Sequence, residues 1–210
     1  YSDMLSITIL PAVYSSLLGM DGIGVFKLMY PFLFSLVPLG LYEIYKRQTD
    51  EKTAFLSVFF FMSFAAFLGT LNFLTRMQVA ELFFVLLIMT LLSKELDLTK
   101  RVALFLFFAF SLIVSHYGLS YYFIFYLLLA WLFPIIMKWA MRQSARREMA
   151  TATLIVLCLV ATLSWYMYIS NAAILDSSVT VARYIWDNIS DMFALGARDL
   201  RLLQGLGLAP

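Results

Sequence analysis

Residues 102–137 read VALFLFFAFSLIVSHYGLSYYFIFYLLLAWLFPIIM, 36 positions without one Asp, Glu, Lys or Arg. A single helix of that length would measure roughly 54 Å at 1.5 Å per residue, well beyond the ~30 Å hydrocarbon core of a bilayer. The run therefore has to cross, turn and cross back. Ser115-His116-Tyr117-Gly118-Leu119-Ser120 stands at its middle, and His116 is the only histidine of the chain. The turn thus sets the most distinctive polar group of the sequence at a membrane boundary.

The composition around this run is of the same kind. Of 210 residues, 63% are hydrophobic, 17% aromatic and only 13% charged, against about 25% charged in a soluble domain. An integral membrane protein is expected, with no room for a large soluble domain. The net charge of +2 gives no reason to expect nucleic acid as a partner. Cys158 is the single cysteine and lies in an apolar run, so no disulfide framework or cysteine metal site can form, and it reads as a small packing residue. No basic-then-apolar signal peptide opens the sequence. It starts at Tyr1 and ends in Gly205-Leu206-Gly207-Leu208-Ala209-Pro210, and both ends read as cuts in a longer protein.

Working outward, charge-free runs give six candidate spans: Ile23–Tyr45, Thr53–Leu74, Met77–Ser93, Val102–Val114, Leu119–Met137 and Met149–Ser170. Thr53–Leu74 is the clearest and Val102–Val114 the shortest. Pro31 and Pro38 inside the first are tolerated in a membrane helix. Trp165, Tyr166 and Tyr168 close the last as an aromatic belt would. Three links, Lys46–Lys52, Lys94–Arg101 and Lys138–Glu148, hold ten of the fifteen basic residues, while Asn72–Arg76 and Ser115–Ser120 are nearly uncharged. By the positive-inside rule the basic links are cytoplasmic. Asp3, Asp21, Lys27, Arg76 and His116 then share the extracytoplasmic face. The domain reading is an external interfacial helix at 1–22, a transmembrane domain at 23–170 and an external amphipathic segment at 171–210. Asn188-Ile189-Ser190 matches a glycosylation acceptor pattern that is common by chance.

Ionisable groups at membrane depth are costly, which makes each a functional candidate. Arg76 could pair bidentately with a phosphate or form an interfacial anchor with Glu81. His116 could bind a phosphate, donate a proton or ligate a metal, or, like Tyr117, simply favour the interface. Lys27 could snorkel or meet a lipid phosphate. Asp3 could be a base, a metal ligand or a helix cap, and Asp21 beside Gly22 reads as a turn residue. Carboxylate pairs, HExxH, GxSxG and Walker patterns are absent, and no acidic set lies mid-membrane as in proton-coupled transporters.

Taken in order, Leu5 to Gly19 with Pro11, the span bearing Lys27 and Pro31, the Phe-rich span, Thr75-Arg76-Met77 opening a span, and Ser115-His116-Tyr117-Gly118-Leu119 resemble the N-terminal half of the GT-C class of membrane glycosyltransferases. The protein mannosyltransferase and aminoarabinose transferase branch is the nearer part of that class. Ser2-Asp3-Met4-Leu5-Ser6, the 115–120 turn and Gly205-Leu206-Gly207-Leu208 are more similar still to an uncharacterised family of large archaeal multi-pass membrane proteins. The resemblance implies transfer of a sugar from a polyprenyl-phosphate donor to a protein or lipid acceptor on the extracytoplasmic face. In that scheme Asp3 is the catalytic carboxylate, Arg76, His116, Lys27 and Tyr117 bind the donor phosphate, and a divalent metal is the one candidate cofactor. Two departures stand out. Leu74 and Thr75 precede Arg76 where an acidic residue is common, and the first external loop with the usual acidic motif would lie before Tyr1.

The expected fold is all-α, a polytopic transmembrane bundle of about six spans resembling the N-terminal half of a GT-C fold. The alternatives are a non-catalytic membrane scaffold or lipid-binding subunit, and a transporter of lipid-linked sugars. The transferase reading requires Asp3, Arg76 and His116 to come together.

Overall fold

A computed structural model describes residues 4–73, 75–141, 152–169 and 173–187, and these are helical throughout apart from short links. The expectation of an all-α fold holds. We number the helices α1 (Leu5–Leu18), α2 (Gly22–Lys46), α3 (Glu51–Ser63), α4 (Ala65–Phe73), α5 (Thr75–Leu92), α6 (Leu98–Ser115), α7 (Tyr117–Met141), α8 (Ala152–Ile169) and α9 (Ala173–Asp187). Every candidate span has a helix beneath it. Among the described residues three helices, α2, α5 and α6, are long and apolar enough to cross a membrane alone, α3 with α4 makes a fourth if the bent pair counts as one, and Tyr117–Phe133 and Ala152–Tyr168 are shorter apolar helices, against the six spans expected. Val102–Val114, expected to be short, is extended to 18 residues by Leu98–Arg101 before it and Ser115 after it.

Local sequence explains the breaks. α1 ends at Gly19, whose φ of 62° is the left-handed conformation that glycine adopts at a helix end. Asp21 then accepts the Gly24 N–H at 2.9 Å and caps α2, which bears out its reading as a turn residue. A π turn at Val25–Met29 precedes Pro31, and Ser35 loosens the helix one turn before Pro38, where each proline ring denies a hydrogen bond to the preceding turn. Asp50 caps α3 by accepting from the Thr53 backbone and hydroxyl at 3.0 and 2.7 Å.

Thr53–Leu74 is expected to be the clearest span. Instead it bends by 61° between α3 and α4, with Phe64 in extended conformation. The cause lies in what the bend secures. Phe67 turns onto the rings of Phe34 and Phe61 at 5.0 and 5.4 Å. Beyond it the Gln78 amide donates to the carbonyls of Thr70 and Leu71 at 2.7 and 2.8 Å, capping the end of α4 from α5.

The core runs along α5 and α6 in three connected patches. Ala80, Leu87, Phe105, Ala109 and Leu112 meet Phe123 and Leu127 of α7 and Ile155 and Cys158 of α8, so Cys158 is the buried packing residue expected. Phe34, Val37 and Ile44 of α2 pack on Val85. Val25, Tyr30 and Val79 close the end nearest α1. The outward faces are equally apolar. Phe55, Phe59 and Phe60 of α3 and Phe107 and Phe110 of α6 are exposed, a surface suited to lipid and untenable in water. Tyr168 is 85% exposed as a belt residue should be, but Tyr166 is fully buried and belongs to the core. The sequence alone could not separate these two neighbours, which point to opposite faces of one helix.

Gly40 marks the closest approach of α2 to α5: a Cβ there would lie 2.4 Å from Val85 Cγ1. Replacing Gly40 by Ala is expected to destabilise the bundle by about 1–3 kcal/mol through overpacking, read as a lower thermal midpoint in detergent. Adding Val85→Ala to that variant should recover most of the loss.

Candidate functional site

Four helix ends meet where α6 passes into α7. The carbonyls of the last turn of a helix have no partner inside it, and the last turn of α6 finds partners on its neighbours. Leu112 O accepts from the His116 backbone at 3.1 Å and from the Ser120 hydroxyl at 3.4 Å. The Tyr166 hydroxyl of α8 donates to Ile113 O. The Ser6 hydroxyl of α1 donates to Ser115 O at 3.0 Å, and the Tyr30 hydroxyl of α2 donates to Ser6 O. Ser6, Tyr30, Ser115, Ser120 and Tyr166 are all buried. The backbone leading into His116 is thus held from three sides.

On this frame stand three of the expected site residues. The His116 ring lies parallel to the Tyr117 ring, 5.3 Å between centroids and 7° between planes. The Arg76 guanidinium, from the first turn of α5, sits over the Tyr117 ring at 6.0 Å, within cation–π range. Tyr166 meets the edge of Tyr117 at 6.4 Å, and Tyr121 packs beside Tyr166 at 6.0 Å. Arg76, His116 and Tyr117 are half-buried. Among the described residues no carboxylate lies within ion-pair reach of Arg76, so the alternative of an Arg76–Glu81 anchor is not realised. Its hydrogen-bonding partner is the soft Sδ of Met4 at 3.8 Å, which leaves most of the guanidinium fork unengaged. Gln78, held against the end of α4, sets the position of this first turn.

His116 Nδ1 accepts the Leu119 N–H at 3.1 Å, and His116 O accepts the Ser120 N–H at 3.2 Å. Of the first four N–H groups of α7, those of Tyr117 and Gly118 remain without an acceptor in the helix. A guanidinium, two amides at a helix start and the positive end of the helix dipole therefore converge, which is an arrangement that takes an anion. Burial, and secondarily the Arg76 charge, push the His116 pKa from its ordinary 6.5 down to about 4.

The other candidates fall elsewhere. Lys27 is exposed on the π turn, and among the described residues no ion pair or hydrogen bond joins it to the cluster. Asp3 lies outside the described residues, as do Leu74 and Asn188-Ile189-Ser190. Among the described residues no group of three His, Cys, Asp or Glu could hold a metal ion. An apolar groove of about 660 Å³ opens between α6 and α8, lined by Phe110, Ala161, Ser164, Trp165, Met167 and Tyr168. A second cavity of about 430 Å³ lies between α2 and α3 around Pro38, Leu39, Phe55 and Phe59.

The sequence profile of a family described as predicted membrane proteins, DUF2206, matches residues 100–204, half of the chain and including the His116–Tyr117 turn. Neither a curated protein nor a solved structure matches.

Because the folded chain keeps His116 neutral while the unfolded chain does not, protonation near pH 6 favours unfolding. The stabilisation from this residue is complete above about pH 6.5 and is lost as the pH falls towards 4. Thermal midpoints in detergent should fall more steeply over that interval for the wild type than for His116→Asn, which has nothing to titrate there.

Proposed function

Since the chain belongs to the DUF2206 family of predicted membrane proteins, we propose that it acts within an integral membrane glycosyltransferase of GT-C type. It takes a sugar from a polyprenyl-phosphate donor and passes it to a protein or lipid acceptor on the extracytoplasmic face. The observation that carries this reading is the meeting of Arg76 with His116 and Tyr117. These residues come from two ends of the chain's apolar core, 40 positions apart, and they form one cluster at one end of the bundle. A membrane scaffold has no need to gather its boundary hydrogen-bond donors, whereas a glycosyl transfer needs them where the donor phosphate departs.

The chemistry follows from charge. As the bond from the anomeric carbon to the phosphate oxygen breaks, negative charge grows on the phosphate, and donors fixed around it lower the barrier. Arg76 supplies two parallel N–H donors, and the start of α7 supplies amides and a favourable dipole. The groove along Phe110 and Trp165 lies between α6 and α8, and its apolar walls suit a polyprenyl tail. The basic links Lys46–Lys52 and Lys94–Arg101 lie at the opposite end of their helices from Arg76 and His116, which with the positive-inside rule supports an extracytoplasmic cluster. Asp3 is the proposed base that activates the acceptor, Lys27 an accessory contact to lipid phosphate, and a divalent metal the one candidate cofactor.

The test is transfer of radiolabelled sugar from polyprenyl-phosphate donors by the full protein in membranes. Arg76→Ala and His116→Ala are each expected to lower transfer by about 100-fold at unchanged expression, the usual loss when one transition-state donor is removed. Arg76→Lys, which keeps charge but not the fork, should fall between. Undiminished transfer in both alanine variants would sink the site assignment.

A further inference from the structure

The cavity of about 430 Å³ between α2 and α3 takes no part in the cluster at the α6–α7 turn. Two breaks at one depth shape it. α2 loosens at Ser35, 11 residues before Lys46, and α3 ends at Ser63, 11 residues after Lys52. At 1.5 Å per residue each break stands roughly 16 Å from the charged link, about half of a ~30 Å hydrocarbon core. Past the break Phe67 turns back onto Phe34 and Phe61, at 5.0 and 5.4 Å, and roofs the cavity. Towards the link the lining ends at Tyr42 and Phe55, one turn from Lys46 and Glu51. The cavity therefore occupies one leaflet, closed near mid-membrane and reaching headgroup depth at the Lys46–Lys52 link.

Its walls are Pro38 and Leu39 on one side and Val58, Phe59 and Met62 on the other. Ser35 and Tyr42 are the polar residues of the lining. The Ser35 hydroxyl is committed to Phe32 O at 2.6 Å, and Tyr42 lies at the mouth with Lys46 Nζ 5.8 Å above its ring. Water finds too few partners in such a space, and an empty one forfeits dispersion contacts on every wall. The chemistry that fits is a hydrocarbon chain. Phe55 and Phe59 continue from the cavity onto the exposed face of α3, so the entrance is from the bilayer. At the mouth Lys46 pairs with Glu51 at 2.6 Å. Arg47 and Lys52 are exposed and make no ion pair among the described residues, which leaves them to a phosphate at headgroup depth.

We propose that this cavity is a lipid site, holding one hydrocarbon chain of a membrane phospholipid from the leaflet that adjoins the Lys46–Lys52 link, with the headgroup phosphate meeting Arg47 and Lys52. The Phe67 roof limits the chain to one leaflet. The headgroup is read weakly, because Glu43, Asp50 and Glu51 balance Lys46, Arg47 and Lys52 around the mouth. A chain seated there touches α2, α3 and α4 together and props the bend at Phe64 from the side opposite Gln78. The site lies in the other half of the bundle from Arg76 and His116 and does not depend on the transferase reading.

The test is photolabelling of the 210-residue chain in phosphatidylcholine vesicles that carry a phosphatidylcholine with a diazirine midway along one acyl chain, with labelled positions mapped by mass spectrometry. Phe107 of α6 is the reference for lipid that merely surrounds the protein. It is 62% exposed against 57% for Phe59, lines neither cavity, and stands six residues from Arg101 as Phe59 stands seven from Lys52. The stretch around Phe59 and Met62 should be labelled about fivefold more than that around Phe107. Leu39→Trp and Ser35→Phe fill the cavity from exposed positions at two heights, so the fold should survive both. Each should abolish the excess and leave the Phe107 label unchanged. Replacing the matrix by phosphatidylglycerol should change the ratio by less than about twofold. Equal labelling of Phe59 and Phe107 would mean surrounding lipid only and overturn the proposal. So would an excess that survives both filling variants.

Discussion

The constraint on which this end of the molecule depends is the satisfaction of the last carbonyls of α6. In an apolar surrounding an unpaired carbonyl costs about 1–3 kcal/mol. A helix that reverses direction within one residue, as α6 does at His116, leaves a full turn of them. The chain meets this demand from outside the helix: Ser6 from α1, Tyr166 from α8 and Ser120 from α7 each donate a hydroxyl to one. Tyr30 extends the chain to α2 through Ser6. Four helices are thereby tied to one turn by hydrogen bonds whose geometry is far more restrictive than apolar contact. The packing of α5 against α6 brings Arg76 to the same place. The cluster of Arg76, Tyr117 and His116 is a consequence of how that turn is secured.

A second constraint acts at the bend between α3 and α4. Breaking a membrane helix frees carbonyls, and Gln78 covers those of Thr70 and Leu71. Gln78 is buried with its amide nitrogen committed, and it stands two residues after Arg76. The break and the first turn of α5 are therefore one unit. Straightening the α3–α4 pair would withdraw the partners of Gln78 and disturb the turn that presents the guanidinium. Gly40 against Val85 ties α2 to the far half of α5, so the helix carrying Arg76 is fixed along its length.

Much of this was legible in the sequence, and what was missed has a common cause. Charge-free runs located the apolar helices, three or four of them long enough to span among the described residues, because removal of charge is the strongest demand a bilayer makes. Asp21 beside Gly22 announced a turn by local chemistry, and the length of 102–137 forced a reversal at Ser115–Ser120. The bend at Phe64 carried no signal, since no proline or glycine marks it. It arises from Phe67 finding Phe34 and Phe61 across the bundle. Tyr166 and Tyr168 are two positions apart and alike in composition, yet one is buried and the other exposed. Ser6 read only as a polar residue in a short helix, because its partner is 109 positions away. Sequence patterns report the medium around each segment, while the hydrogen bonds that specify the site are tertiary.

The same distinction explains why Arg76 and His116, rather than Lys27, form the cluster. All three were placed at one boundary by the same charge argument. Depth alone does not bring cations together, and in water or at a headgroup surface two of them would separate. Arg76 stays because its guanidinium lies over an aromatic face and its helix turn is pinned by Gln78. His116 stays because its ring doubles as a helix cap and, being neutral, does not repel its neighbour. Lys27 has neither an aromatic face nor a backbone role and remains on the exposed side of its π turn. Convergence of polar groups at this membrane boundary is thus decided by which of them are also held by the backbone or by an aromatic face.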